Sequence, residues 1–128
     1  CVGEQERDLD GHYIGYIALQ VRAALKGVTK KDLGKVVIAY EPIWAIGKSA
    51  VRAASAADVL EISISIKKTL ADMYGKEGNT IPVLYGGSVD AKNAGVFLAE
   101  SRVDGLLVGR ASLDPSVFGE ILKSAEKI

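Results

Sequence analysis

Glu41 follows the apolar run Val36-Val37-Ile38-Ala39-Tyr40 and precedes Pro42-Ile43-Trp44 and Ala45-Ile46-Gly47. A short, β-branched run of this kind forms a strand buried on both faces, as in a parallel sheet. A carboxylate at the C-terminal end of such a strand loses water, which raises its pKa and makes it a stronger base, so Glu41 could remove a proton. It could equally be no more than a rim cap, since strand-end carboxylates are common in α/β folds. The residues after it divide into a stiff, bulky half and a small half, a division that suits a hinged lid able to exclude water.

Two glycine loops follow later in the chain, Gly86-Gly87-Ser88 and Val108-Gly109-Arg110-Ala111-Ser112. Residues without a Cβ let backbone N–H groups approach an anion, the helix start after Gly86-Gly87-Ser88 would add partial positive charge, and Ser88 supplies a hydroxyl. Each loop taken alone could be only a turn. Two in succession, after the last two strands, match the place where barrels of parallel strands often build a phosphate site.

The elements that must hold these loops are legible in outline. Residues 13–26 repeat apolar side chains at Ile14, Ile17, Ala18, Val21, Ala24 and Leu25 and stop at Gly27, predicting an amphipathic helix. Ser55-Ala56-Ala57-Asp58 has capping-box spacing ahead of Val59, Ile62, Ile66, Leu70 and Met73, and Gly75 closes that helix. The residues Ile81-Pro82-Val83-Leu84-Tyr85 predict a strand, residues 91–100 a helix, and Gly105-Leu106-Leu107-Val108 another buried strand. Asp114-Pro115 predicts a cap and first-turn proline for a last helix ending near Lys127. Three strand–loop–helix units after an initial helix imply α/β architecture around a parallel sheet, in one unit without a linker.

Equal numbers of acidic and basic residues, 16 of each, leave no long-range field to gather nucleic acid or an anionic membrane. No apolar run approaches the roughly 18 residues that span a bilayer. The single cysteine, Cys1, cannot form an intramolecular disulfide, which fits a reducing, cytoplasmic setting. The start at Cys1-Val2-Gly3-Glu4 reads as a strand end, so the chain is expected to lack an N-terminal portion.

Ala39-Tyr40-Glu41-Pro42-Ile43-Trp44-Ala45-Ile46-Gly47 closely resembles the active-site signature of the triosephosphate isomerases, AYEPIWAIG. The remainder is similar in order and spacing: Cys1-Val2-Gly3-Glu4 to the end of that family's fifth strand, Tyr85-Gly86-Gly87-Ser88-Val89 to its seventh-strand loop, and residues 103–113 to its eighth-strand region. The resemblance implies the C-terminal half of a (β/α)8 TIM barrel, from the end of strand 5 through helix 8. It also implies interconversion of dihydroxyacetone phosphate and glyceraldehyde 3-phosphate through an enediolate, without cofactor or metal, in a protein that is a homodimer at full length. By motif, Glu41 would be the base, and Gly47, Ser88, Gly109 and Arg110 would bind the substrate phosphate. Pro42, Ile43, Trp44, Lys48, Ser49 and Ala50 would form the lid. Glu4, Tyr40 and Trp44 would latch it, and Tyr85 would hold it closed.

There are departures from the family pattern. The lid reads Ala45-Ile46-Gly47-Lys48-Ser49-Ala50 where the family has AIGTGKTA, two residues short at the tip. Arg110 replaces a glycine, so its side chain must point away from the phosphate or add a charge to it. Lys67 stands where an arginine is usual, which would orient an ion pair to Asp104 less well. The family's essential lysine and electrophilic histidine would precede this chain, and His12, at a helix start, reads as an ordinary exposed residue. The fragment alone is expected to be almost inactive. Two other readings are a different phosphate-binding barrel enzyme, opposed by the intact signature, and a standalone half-barrel that binds or assembles without catalysis.

Overall fold

The computed structural model describes residues 1–47, 50–126 and 128. Helix α1 (His12–Ala24) buries Ile17 and Val21, and the chain turns at Gly27, whose φ of 84° lies in the left-handed region that glycine enters without steric cost. A 3-10 turn at Lys30–Lys35 leads into strand β1 (Ile38–Tyr40). Helix α2 (Ala56–Tyr74) begins with a complete capping box: the Ser55 hydroxyl accepts from the Asp58 N–H, and the Asp58 carboxylate accepts from the Ser55 N–H. It buries Val59, Ile62, Ile66 and Leu70, with Met73 half-buried. A 3-10 turn at Ile43–Ala45 lies between β1 and α2; a further one at Gly75–Thr80, strand β2 (Val83–Tyr85), helix α3 (Ala94–Glu100), strand β3 (Gly105–Leu106), a 3-10 turn at Arg110–Leu113 and helix α4 (Pro115–Ala125) complete the order. Asp114 caps α4 by accepting from the Ser116 and Val117 N–H groups. Lys127, where this helix was expected to end, lies outside the described residues.

The three strands run parallel in the order β1-β2-β3, and Val2 adds a parallel bridge to Tyr40 at the outer side of β1. The fold is therefore α/β around a parallel sheet, and of Cys1-Val2-Gly3-Glu4 it is Val2 that pairs with it, as an isolated bridge. In this register Ile38, Tyr40, Val83, Tyr85 and Leu106 share one face and Ala39, Leu84 and Gly105 the other, because registered neighbours in a parallel sheet point the same way. The first face packs under the helices, with Tyr40 and Val83 fully buried.

The second face corrects two sequence expectations. The strand expected over residues 36–40 is only Ile38–Tyr40; these three are buried on both faces, Ala39 at 7% included, but Val37 on the second face is 54% exposed. The segment expected as a buried strand at 105–108 pairs only over Gly105–Leu106; both of these residues are half-buried and Leu107 is 44% exposed. Apolar runs are continuous here because both faces are apolar, although helices cover only one. Helix α3 also starts at Ala94 and not at 91. Asp90 and Asn93 take up the intervening backbone, with Asp90 Oδ1 accepting from the Lys92 and Asn93 N–H groups and Asn93 Oδ1 accepting from the Asp90 N–H.

Lys67 meets Asp104 at 2.9 Å despite the lysine-for-arginine difference, and also donates to the Ile81 carbonyl at 2.8 Å. Asp104 in turn accepts from the Val83 N–H at 2.8 Å, so its carboxylate extends the ladder on the β3 side of β2, where strand pairing begins only at Leu84. Burial alone would raise the Asp104 pKa, but the Lys67 and Val83 hydrogen bonds outweigh it and hold it below the usual carboxylate value. Urea unfolding should separate the two partners. Asp104→Ala, which strands a backbone donor, should cost about 1–3 kcal/mol, and Lys67→Met about 1 kcal/mol or less; equal losses would contradict the ladder role.

Candidate functional site

The C-terminal ends of the strands gather Glu41, the residues after it, and both glycine loops on one edge of the sheet. Glu41 follows β1 directly and is half-buried, not desolvated as a strand-end carboxylate buried on both faces would be. Its backbone is pinned by donation from the Glu41 N–H to the Val2 carbonyl at 2.8 Å, while the Gly86 N–H donates to the Tyr40 carbonyl at 2.8 Å. A Cβ on Gly86 would fall 2.8 Å from Glu41 Cγ and 3.3 Å from Leu107 Cβ. The glycine after β2 therefore makes room for the glutamate side chain on the uncovered face.

Pro42 is buried, a 3-10 turn at Ile43–Ala45 follows, and Trp44 and Ala45 are buried while Ile43 is 52% exposed. Gly47 takes a φ of 76°, a conformation that side chains with a Cβ rarely adopt. The segment returns on itself where the Val51 N–H donates to the Trp44 carbonyl at 2.8 Å. Lys48 and Ser49, and with them the expected shortening of the tip, lie outside the described residues; Ala50 is exposed and its N–H points to the Gly47 carbonyl at 3.4 Å.

Ile46, Gly47, Gly87, Ser88, Val89, Gly109, Arg110 and Ala111 line one cleft of about 420 Å³. The four residues expected to meet a phosphate, Gly47, Ser88, Gly109 and Arg110, thus come together from three separate loops. Arg110 is exposed, lines the cleft, and has no ion-pair partner among the described residues. The helix expected from residue 91 begins at Ala94, six residues after Ser88, and the Asn93 side chain at its start donates to the Ser88 carbonyl at 2.8 Å.

Glu4, Tyr40 and Trp44 form a hydrogen-bonded cluster. Glu4 is 1% exposed, and its Oε1 accepts from the Tyr40 hydroxyl at 2.8 Å and the Trp44 indole at 2.7 Å. Burial raises the Tyr40 phenol well above the usual tyrosine value, so it remains a donor. Tyr85 is buried and raised by burial to about 12; its ring lies against Gly87 and 4.4 Å from Phe97. Among the described residues its hydroxyl makes no hydrogen bond to residues 42–47.

Sequence reading missed three charged residues that complete the cluster. Arg7 donates to Glu4 at 3.1 Å, to the Tyr40 hydroxyl at 3.2 Å, to both the carboxylate and the carbonyl of Asp58 at 3.0 and 2.8 Å, and to Glu61 at 3.0 Å. Arg52 grips Asp58 with two bonds of 2.6 and 2.9 Å. The Arg7 and Arg52 guanidinium carbons stand 5.2 and 4.5 Å from the Trp44 ring centroid, within cation–π range. Only the capping-box signal at Asp58 was visible in the sequence, and it pointed to a helix start.

The other polar concentration is Asp8, Asp10 and His12, whose ligand atoms lie within 4.8 Å of one another. Asp8 is already engaged, accepting from the His12 and Tyr13 N–H groups and meeting His12 Nδ1 at 2.8 Å, so the trio is accounted for by the start of α1. His12 is exposed, as expected.

The Asp58 hydrogen bonds set a pH dependence. Bonds from Arg52 first, then from Ser55, with the Arg7 charge, overcome burial and depress the Asp58 pKa far below its usual value. A carboxylate depressed in the folded state adds stability above its unfolded pKa, about 3.9, and loses it as pH falls toward the folded value. Asp58→Asn should therefore lower the urea midpoint at pH 7, and the gap to the parent should narrow steadily below about pH 4; a gap independent of pH would contradict this.

Comparison with known sequences bears on this site. The family model described as "Triosephosphate isomerase" matches residues 1–125. Proteins named triosephosphate isomerase from Mycobacterium avium (strain 104), Corynebacterium diphtheriae and Thermoanaerobacter sp. (strain X514) are 44%, 43% and 46% identical to the chain. These matches cover 94%, 100% and 95% of this chain but 46%, 49% and 49% of the respective relative, so the chain spans about half the length of the curated relatives it matches.

Proposed function

The chain belongs to the triosephosphate isomerase family, and from that premise we propose that it is the C-terminal half of a (β/α)8 barrel whose full-length form interconverts dihydroxyacetone phosphate and glyceraldehyde 3-phosphate. The observation that carries this reading is the convergence of Glu41 and the glycine-lined cleft on one end of the parallel sheet. The half-barrel placement draws support from the one-sided burial: Val37, Leu84 and Leu107 lie on a face that helices of this chain leave uncovered, which is the interior in a closed barrel.

In this reading the cleft holds the substrate phosphate through the backbone N–H groups of Gly47, Gly109 and Arg110 and the Ser88 hydroxyl. That anchors the three-carbon body beside Glu41. The carboxylate takes a proton from one carbon and returns it to the neighbouring carbon while the hydroxyl proton passes between the two oxygens, so no cofactor or metal is required; the family is itself a standard example of a glutamate base under a closing loop. Residues 42–47 cover the site, keeping water from the enediolate and preventing loss of the phosphate. The groups that stabilise the enediolate oxygen, the family's lysine and histidine, belong to the first half of the barrel. The full-length protein acts as a homodimer in the cytoplasm, and no helix among the described residues is long and apolar enough to cross a membrane.

The test is coupled-assay turnover of glyceraldehyde 3-phosphate by this chain, by the chain fused to the first half-barrel of a curated relative, and by fusions carrying Glu41→Asp or Gly86→Ala. Activity is expected only in the fusion. Glu41→Asp withdraws the carboxylate by about 1 Å and should cost on the order of 100-fold in kcat. Gly86→Ala should lower kcat as well, because its methyl group displaces the Glu41 side chain. A folded, dimeric and inactive parent fusion would overturn the reading and favour a binding or assembly half-barrel.

A further inference from the structure

The neck of the segment after Glu41 is pinned in two ways. The Val51 N–H closes it onto the Trp44 carbonyl at 2.8 Å, and the next residue, Arg52, lays its guanidinium over the Trp44 indole at 4.5 Å. Arg52 is itself fixed by its two-pronged bond to Asp58, at 2.6 and 2.9 Å. Asp58 cannot easily follow a movement, because it also closes the capping box of α2 and accepts from Arg7 at 3.0 Å. Arg7 stands against the same indole at 5.2 Å. Trp44 is therefore held beside two guanidinium groups that share one carboxylate anchor, while Gly47, three residues on, lines the glycine cleft.

We propose that Arg52 and Asp58 form a clasp that positions Trp44 and thereby holds residues 42–47 against the phosphate cleft; this rests on the lid reading given above. Neither residue touches substrate, so Arg52 is a positioning residue. For the segment to swing away, the indole must leave Arg52, or Arg52 must release two charge-assisted hydrogen bonds. The Arg52 side chain is 53% exposed while that of Asp58 is 12% exposed, and Asp58 keeps its bonds from Ser55 and Arg7 when Arg52 is removed, so the loss to global stability is modest. Its removal should loosen the segment and leave the fold in place. Lysine keeps the charge but lacks the planar fork that both grips a carboxylate and stacks on an indole.

The experiment compares the active fusion with its Arg52→Ala and Arg52→Lys variants. Expected for Arg52→Ala are at least a threefold rise in KM and in the inhibition constant of inorganic phosphate, a change in kcat below twofold, and a urea midpoint lowered by less than in Asp58→Asn. Backbone amide exchange in the peptide covering residues 43–53 should quicken at least fivefold, and Arg52→Lys should recover less than half of each effect. Parental KM and exchange in Arg52→Ala would overturn the clasp, as would full recovery by lysine or losses that track a lowered midpoint. A parent fusion without isomerase activity would count against the proposed function, and the exchange rates would still decide the clasp.

Discussion

A carboxylate buried to 1% exposure calls for donors, and Glu4 draws them to one oxygen, Oε1, from three parts of the chain, while Oε2 has no hydrogen-bond partner among the described residues. Tyr40 comes from the end of β1, Trp44 from the turn beyond Glu41, and Arg7 from the loop before α1, all on the same Oε1. The strand end that carries Glu41 and the segment that follows it are thus tied to one point. Arg7 extends the tie to α2 through Asp58 and Glu61. The position of Glu41 is a consequence of this polar network as much as of the apolar packing of the helices on the sheet.

The uncovered face of the sheet explains why the site lies where it does. Glu41 projects onto the face away from α1 and α2, where only a glycine at 86 leaves room for its side chain. The glycine-lined cleft opens at the same edge because every strand runs in the same direction and each loop after a strand emerges together with its neighbours. Parallel pairing therefore brings into one cleft residues as far apart in sequence as Gly47 and Arg110.

Much of this was legible in the sequence, and the failures have identifiable causes. The α2 capping box, its Gly75 stop, and the Asp114-Pro115 start are local signals carried by adjacent residues, and all three hold. The signature around Glu41 and both glycine loops identified the residues that converge. Strand lengths and the burial of Val37 and Leu107 were overread, because an apolar run has the same pattern whether its second face is covered within this chain or not. Arg7 and Asp58 are 51 positions apart, and their contact has no periodicity to betray it. Arg52 gave no sign either: in a polar stretch between elements, an arginine is ordinarily a solvated residue.

The double duty of Asp58 narrows what evolution can do at that position. A helix start that needed only the reciprocal bond of a capping box would accept glutamate or neutral glutamine at its third residue. Two arginines must also be neutralised there, so the neutral choice is closed, and the short reach of aspartate suits an oxygen pair shared between the Ser55 backbone and the guanidinium groups. Drift at residue 58 would disturb a helix terminus and an aromatic side chain together. Substitutions at 7, 52 and 58 should accordingly be inherited as a set, with a neutral residue tolerated at one only where the others have changed in step.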